Sequence, residues 1–178
     1  MNDETPCVTL RPWSGEDFWI LERANTPEMT EHLGGPESRE GLVDRHERYL
    51  RTVGGSGRMY AIETSQGGES AGVIGFWART WREEQVYEAG WGVLPEYQGR
   101  GLAVAAARAV IAEARRQGDR RRLHAFPGVD HPASNAVCRR AGFTLLGECL
   151  FEYPKGHLSS SNDWAVELHG TGVADAGR

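Results

Sequence analysis

The chain has 178 residues, with 25 Asp and Glu against 20 Lys and Arg and a formal net charge of −5. A single domain of this length buries about 70% of its unfolded surface and folds without staples. The acidic balance excludes an electrostatic case for nucleic acid or an anionic membrane and suits a cationic partner such as an amine. Cys7, Cys138 and Cys149 stand far apart with no CxxC pair, which excludes a disulfide framework or a zinc cluster. No apolar run reaches membrane-spanning length, and Met1-Asn2-Asp3-Glu4 is no signal peptide. The expectation is a reduced, cytoplasmic, metal-free protein.

Cys7 to Trp13 alternates as a short strand, with Val8 and Leu10 on one face. Ser14 reads as a helix N-cap with Asp17 three residues on, a variant capping box, and Phe18, Trp19 and Leu21 give that helix its apolar side. Asn25 to Pro36 is turn-rich and predicts irregular chain. Ser38 opens a second helix whose Leu42, His46, Tyr49, Leu50 and Val53 recur at helical spacing, and Gly54-Gly55-Ser56-Gly57 ends it. Met59 to Glu63 predicts a strand and Gln66-Gly67-Gly68 a hairpin turn. Ala71 to Trp77 is apolar throughout, as a strand covered on both faces would be. Gln85 to Leu94 predicts the next strand.

Residues 91–103 are the most informative stretch. The strand stops at Pro95, a turn carries Gly99 and Gly101, and an alanine-rich helix begins. A helix entered through glycines offers free N–H groups and the positive end of its dipole, which is a phosphate-binding geometry. No Gly-x-x-x-x-Gly-Lys-Ser/Thr is present, which argues against a P-loop. The helix carries Ala103, Ala107, Val110, Ile111 and Ala114 on one face and Arg108, Arg115 and Arg116 on the other, and Gly118 stops it. Arg122 to Phe126 is a strand. His131-Pro132 opens a helix with Ser134, Val137, Cys138 and Ala141 on one face, ended by Gly142. Phe143 to Tyr153 and Asp163 to Leu168 are the last strands, with Trp164, Val166 and Leu168 facing one way. Residues 1–178 form one domain with a core of about 7–168, and Gly170 to Arg178 frays.

The pattern Gln/Arg-x-x-Gly-x-Gly/Ala, met by Gln98, Gly101 and Ala103, resembles the acetyl-CoA signature of the GNAT superfamily of N-acetyltransferases. The order of elements resembles that family too. Glu88-Ala89-Gly90-Trp91 before the signature, and His131-Pro132-Ala133-Ser134 to Gly142-Phe143 after it, are most similar to the ribosomal-protein N-terminal acetyltransferase type. The resemblance implies an α+β fold: a mixed, mostly antiparallel central sheet of about seven strands flanked by about four helices. It also implies acetyl-CoA as co-substrate, no metal, and a homodimer as the assembly to expect.

By the same resemblance, the backbone of Trp91 and Val93 pairs with the pantetheine arm, and Gln98, Gly99, Arg100, Gly101, Leu102 and Ala103 hold the pyrophosphate. Glu88, just upstream on the same strand, is the candidate general base, directly or through water, against the alternative of a surface carboxylate. Ser134 is the candidate proton donor or hydrogen-bond partner of the leaving thiolate, with helix capping as its plain alternative. Cys138 stands where a tyrosine is common and reads as a small buried filler. His131 replaces a usual Asn; it is expected to hydrogen-bond the pantetheine or to serve only near the helix cap. On the acceptor side Trp77 and Trp81, closing one hairpin, and Tyr153, Lys155 and His157, in the loop between the last strands, are substrate candidates or ordinary core lids. Asp17, Glu22 and Glu31 either meet a cationic acceptor or are solvated. Arg115, Arg116 and Arg120 to Arg122 either touch the CoA 3′-phosphate or an RNA, or form a solvated helix end, the plainer reading. Two functions stay open. One is an enzyme moving acetyl to a primary amine (an aminoglycoside, a polyamine or a protein N-terminus) by direct attack in a ternary complex. The other is a non-catalytic acyl-CoA-binding or regulatory module.

Overall fold

The computed structural model describes residues 6–52, 57–65 and 68–169. Its seven strands are β1 (Val8–Pro12), β2 (Gly57–Thr64), β3 (Ser70–Trp81), β4 (Glu84–Val93), β5 (Arg122–Ala125), β6 (Thr144–Glu152) and β7 (Leu158–Glu167). They form one sheet in the order β1-β2-β3-β4-β5-β7-β6. Only β4 and β5 run parallel, and they share just two paired positions, Tyr87 with Leu123 and Glu88 with His124. The helices are α1 (Phe18–Ala24), α2 (Pro27–Thr30), α3 (Arg39–Arg51), α4 (Leu102–Gln117) and α5 (Pro132–Ala141).

The alternation of each strand sorts its side chains between two helical layers. Ile74, Phe76, Tyr87 and Leu123 face Ala106, Val110 and Cys138 of α4 and α5. Met59, Ala61 and Val73 face Ile20, Leu21 and Leu42 of α1 and α3. β3 is therefore covered on both sides, as its unbroken apolar run requires. A Cβ at Gly75 would lie 2.1 Å from the Met59 sulfur, so only glycine lets that layer close. Gly118 and Gly142, with φ of +79° and +100°, end α4 and α5 as left-handed caps.

Several expectations change. Residues 25–36 are not irregular: the Thr26 hydroxyl accepts from the Met29 N–H at 3.2 Å, Pro27 follows, and α2 forms with a 3₁₀ turn at Glu31–Leu33 behind it, which brings the α-helices among the described residues to five. Gly57 begins β2 rather than ending a helix, while Val53 to Ser56 and Gln66-Gly67 lie outside the described residues. β7 starts at Leu158, five residues before the predicted start, because the polar run Ser159 to Asn162 pairs with β6. The tail 170–178 lies outside the described residues. Trp19 is exposed rather than apolar-facing. Among the described residues no helix is long and apolar enough to cross a membrane.

Candidate active site

After the Glu88–His124 pair β4 continues to Val93 with β3 alone beside it. The direction of its free backbone groups follows from one bond. The Leu94 N–H donates to Ala71 O at 2.8 Å, which makes Val93 and Gly72 a non-hydrogen-bonded pair of the antiparallel ladder. Alternation then turns the N–H and C=O groups of Ala89, Trp91 and Val93 away from β3, toward the edge that β5 has left. Trp91 and Val93 are the two positions expected to offer backbone to the pantetheine, and their polar groups point to that open edge.

The turn that follows is held by its own side chains. The Gln98 amide donates to Val93 O at 2.9 Å, so this side chain braces the turn. Gly99 and Gly101 have φ of +73° and +75°, and a Cβ built on Gly99 would meet nothing within 4 Å. Gly101 is the N-cap of α4 and supplies no side-chain cap. The first helical bond runs from the Ala105 N–H to Gly101 O, so the N–H groups of Leu102, Ala103 and Val104 precede the ladder. No acidic residue lies in this first turn to compete for them. Leu102 is buried and offers only its backbone; Arg100 is exposed, its guanidinium 5.5 Å from the Tyr97 ring centre.

Glu88 is 8% exposed and no surface carboxylate. Both Trp77 Nε1, at 3.1 Å, and Arg79 Nη1, at 2.6 Å, donate to the same oxygen, Oε2. Burial pushes the Glu88 carboxyl up, and the Arg79 guanidinium, with the two hydrogen bonds, pulls it partly back. Arg79 in turn lies 4.3 Å from the Phe151 ring centre. Trp77 therefore sits mid-strand opposite Glu88, not at a hairpin end, whereas Trp81 is at the end of β3 and its indole donates to Asp163 Oδ2 at 2.9 Å.

Ser134 does not cap α5. His131 is the N-cap residue and makes no side-chain cap bond; its Nε2 shares a hydrogen bond with Ser134 Oγ at 3.0 Å. Burial, then the neighbouring His32, lowers the His131 imidazole, so it is neutral at physiological pH. His32 stacks on it at 4.1 Å, and the Gln98 amide also reaches Met29 Sδ at 3.3 Å. The α2 segment thus runs from the α4 turn to the α5 start. Cys138 is fully buried, its thiol pushed up to about 12, a core filler with no acid role at neutral pH.

Asn135, which its sequence context did not single out, fixes this corner. Its amide donates to Gly128 O at 2.9 Å and His131 O at 2.8 Å, and its oxygen accepts from Asn162 and Trp164 at 2.8 and 2.9 Å. Asn135→Leu strands those buried donors and is expected to cost about 3 kcal/mol, read as a melting temperature lower by about 6–12 °C.

The remaining candidates are dispersed. Tyr153, Lys155 and His157 form the exposed β6–β7 turn, where the Tyr153 hydroxyl accepts from Arg45 of α3 at 2.8 Å. Asp17 is taken by Arg11 and by the Ser14 capping box, and Glu22 by Arg39. Arg121 and Arg122 pair with Glu167, and Arg116 with Glu113, which leaves a surface ion-pair network rather than a basic groove. His124, Asp163 and Arg79 join Glu88 on one face of the sheet, and nothing in their local sequence marks them.

A strand edge that opens beside a glycine turn and an uncapped helix N-terminus, with a buried carboxylate at the opening, is an arrangement suited to a ligand with a phosphate group and an extended arm. The acetyltransferase (GNAT) domain profile matches residues 8–144, and the chain belongs to the GNAT acetyltransferases. Solved relatives include the Salmonella typhimurium acetyltransferase that modifies the N-terminal serine of ribosomal protein L7/L12, 27% identical over 91% of this chain and 95% of that one, TM-score 0.75. RimL, a ribosomal L7/L12 α-N-protein acetyltransferase solved with coenzyme A, is 25% identical over 90% and 93%, TM-score 0.72. Spermidine N-acetyltransferase from Vibrio cholerae, solved with CoA and spermine, shares the fold at 16% identity over 90% and 95%, TM-score 0.72. No curated protein matches significantly by sequence.

Proposed function

We propose that the protein transfers acetyl from acetyl-CoA to a primary amine by direct attack in a ternary complex. The observation that carries the reading is the position of Glu88: a buried, pKa-raised carboxyl at the last β4–β5 pair, one residue before the outward-facing backbone of Ala89 and Trp91. Acetyl-CoA would lay its pyrophosphate on the N–H groups of Gly99 to Ala103 and its pantetheine along β4. A backbone N–H of that edge would hold the thioester oxygen and stabilise the oxyanion. Glu88 takes a proton from the amine, the nitrogen attacks the carbonyl carbon, and the C–S bond breaks. Ser134, oriented by His131, donates to the departing sulfur, and the proton is made up from solvent through this half-buried pair.

The likeness to acetyltransferases of the ribosomal L7/L12 N-terminus makes a protein or peptide α-amine the first acceptor to try. The reading places the protein in the cytoplasm, with a second copy of the chain as its expected partner. Thiol release is to be followed with a peptide of free N-terminus, a polyamine and an aminoglycoside. Amine-dependent release with one of them supports the enzyme; acetyl-CoA binding with no release from any would return the regulatory module.

A further inference from the structure

We propose that His124, fixed by Asp163, is a proton-relay residue behind Glu88; this rests on the reading of Glu88 as base. His124 stands on β5 directly opposite Glu88 in the parallel pairing, so the two side chains share a face of the sheet. Its Nδ1 lies 2.7 Å from Asp163 Oδ1, and both residues are buried, at 3% and 2% exposure. The second Asp163 oxygen is held by Trp81. Hydrogen bonds from His124 and Trp81, opposing its burial, keep the Asp163 carboxyl below its ordinary value and so ionised. An ionised carboxylate only accepts, so Nδ1 of His124 carries the proton shared with Asp163 and Nε2 is the nitrogen left to exchange one. That Nε2 is buried without a hydrogen-bond partner. A polar atom left so costs free energy, and an imidazole aimed by a carboxylate is the usual arrangement of a proton acceptor.

The reaction needs such an acceptor. An alkyl ammonium loses two protons on becoming an amide, one before attack and one from the tetrahedral nitrogen. A single carboxylate holds one. Glu88 Oε2 is occupied by Trp77 and Arg79, which leaves Oε1 to receive the first proton. Glu88 then passes it across the strand pair to His124, whose Nε2 has no hydrogen-bond partner in the resting structure, and the imidazolium forms beside Asp163. Glu88 is a carboxylate again and takes the second proton as the C–N bond settles. One proton is balanced by the thiol of CoA, and the other returns to solvent. The charged groups around the ring are Glu88 on β4, Asp163 on β7 and Arg79 on β3, with Arg82 acting on Asp163; Phe126 stacks on the ring.

His124→Asn tests the relay, because its amide keeps an N–H for Asp163 and lacks the outer nitrogen. Turnover is expected to fall about tenfold or more below the pKa of the acceptor amine, with the KM for acetyl-CoA unchanged. The deficit should close above that pKa, where the amine arrives neutral and has one proton fewer to lose. Asp163→Asn should give the same pH-selective loss, and covers the case in which His124→Asn does not fold. Ring ¹⁵N shifts of His124 should show the Nδ1–H tautomer in the free protein. Full activity of His124→Asn at low pH, an equal deficit at every pH, or an Nε2–H tautomer overturns the relay alone. A folded wild type that releases no thiol with any amine overturns the acetyltransferase reading beneath it.

Discussion

Glu88→Gln is expected to lower turnover by about 10²- to 10⁴-fold while acetyl-CoA binds within about twofold of wild type. The amide is isosteric and still accepts from Trp77 and Arg79, so the sheet face keeps its packing, but it takes no proton. The cofactor contacts lie in backbone beyond position 88 and are untouched. The sign of the pH dependence follows from burial. The carboxylate is the working form, burial raises its pKa, and activity is lost as pH falls through that raised value. The acid limb of kcat/KM should therefore lie above the ordinary carboxylate range, and Glu88→Gln should abolish it. Arg79→Met removes the cation that holds the carboxyl down and should move the limb further up. An unchanged turnover in Glu88→Gln at all pH values would remove Glu88 from the mechanism.

Gly101→Val is expected to weaken acetyl-CoA binding by tenfold or more, about 1.4 kcal/mol, in a protein that stays folded. Gly101 caps α4 at φ +75°, a conformation that a β-branched residue adopts only with strain of about 1–3 kcal/mol. Its Cβ would also press the Pro6 ring at 3.2 Å. The chain relieves both by turning the N–H groups of Leu102 and Ala103 off the direction in which a pyrophosphate would lie. Of the residues in this turn only Leu102 is buried, and the rest of the packed face of α4 runs from Ala105 to Ala114, so most of the core is spared. Calorimetry reads the affinity and circular dichroism the fold; wild-type affinity would show that this turn does not hold the phosphates.

What was legible in the sequence was local chemistry. Pro95 stops a strand, Gly101, Gly118 and Gly142 supply positive φ at helix ends, and the apolar run 71–77 requires cover on both faces. The neighbours of Glu88 are apolar, and its burial followed. What was not legible depends on register between distant strands. His124 meets Asp163 across 39 residues of chain, and Arg79 meets Glu88 only because β3 folds back on β4. Asn135 reads as one more polar helix residue until four partners converge on it. Residues 25–36 looked irregular because one turn of helix leaves no periodicity, yet that segment carries His32 to the His131 ring. Ser134 looked like a cap because Ser near a helix start usually is one; here the Oγ turns to the His131 imidazole instead.

The central claim is that the opening between β4 and β5, with the turn at Gly99 to Ala103, holds acetyl-CoA. Calorimetric titration of the purified protein with acetyl-CoA tests it most directly. The account predicts saturable binding of one molecule per chain, weakened in Gly101→Val and retained in Glu88→Gln. A folded wild-type protein that takes up no acetyl-CoA would contradict it.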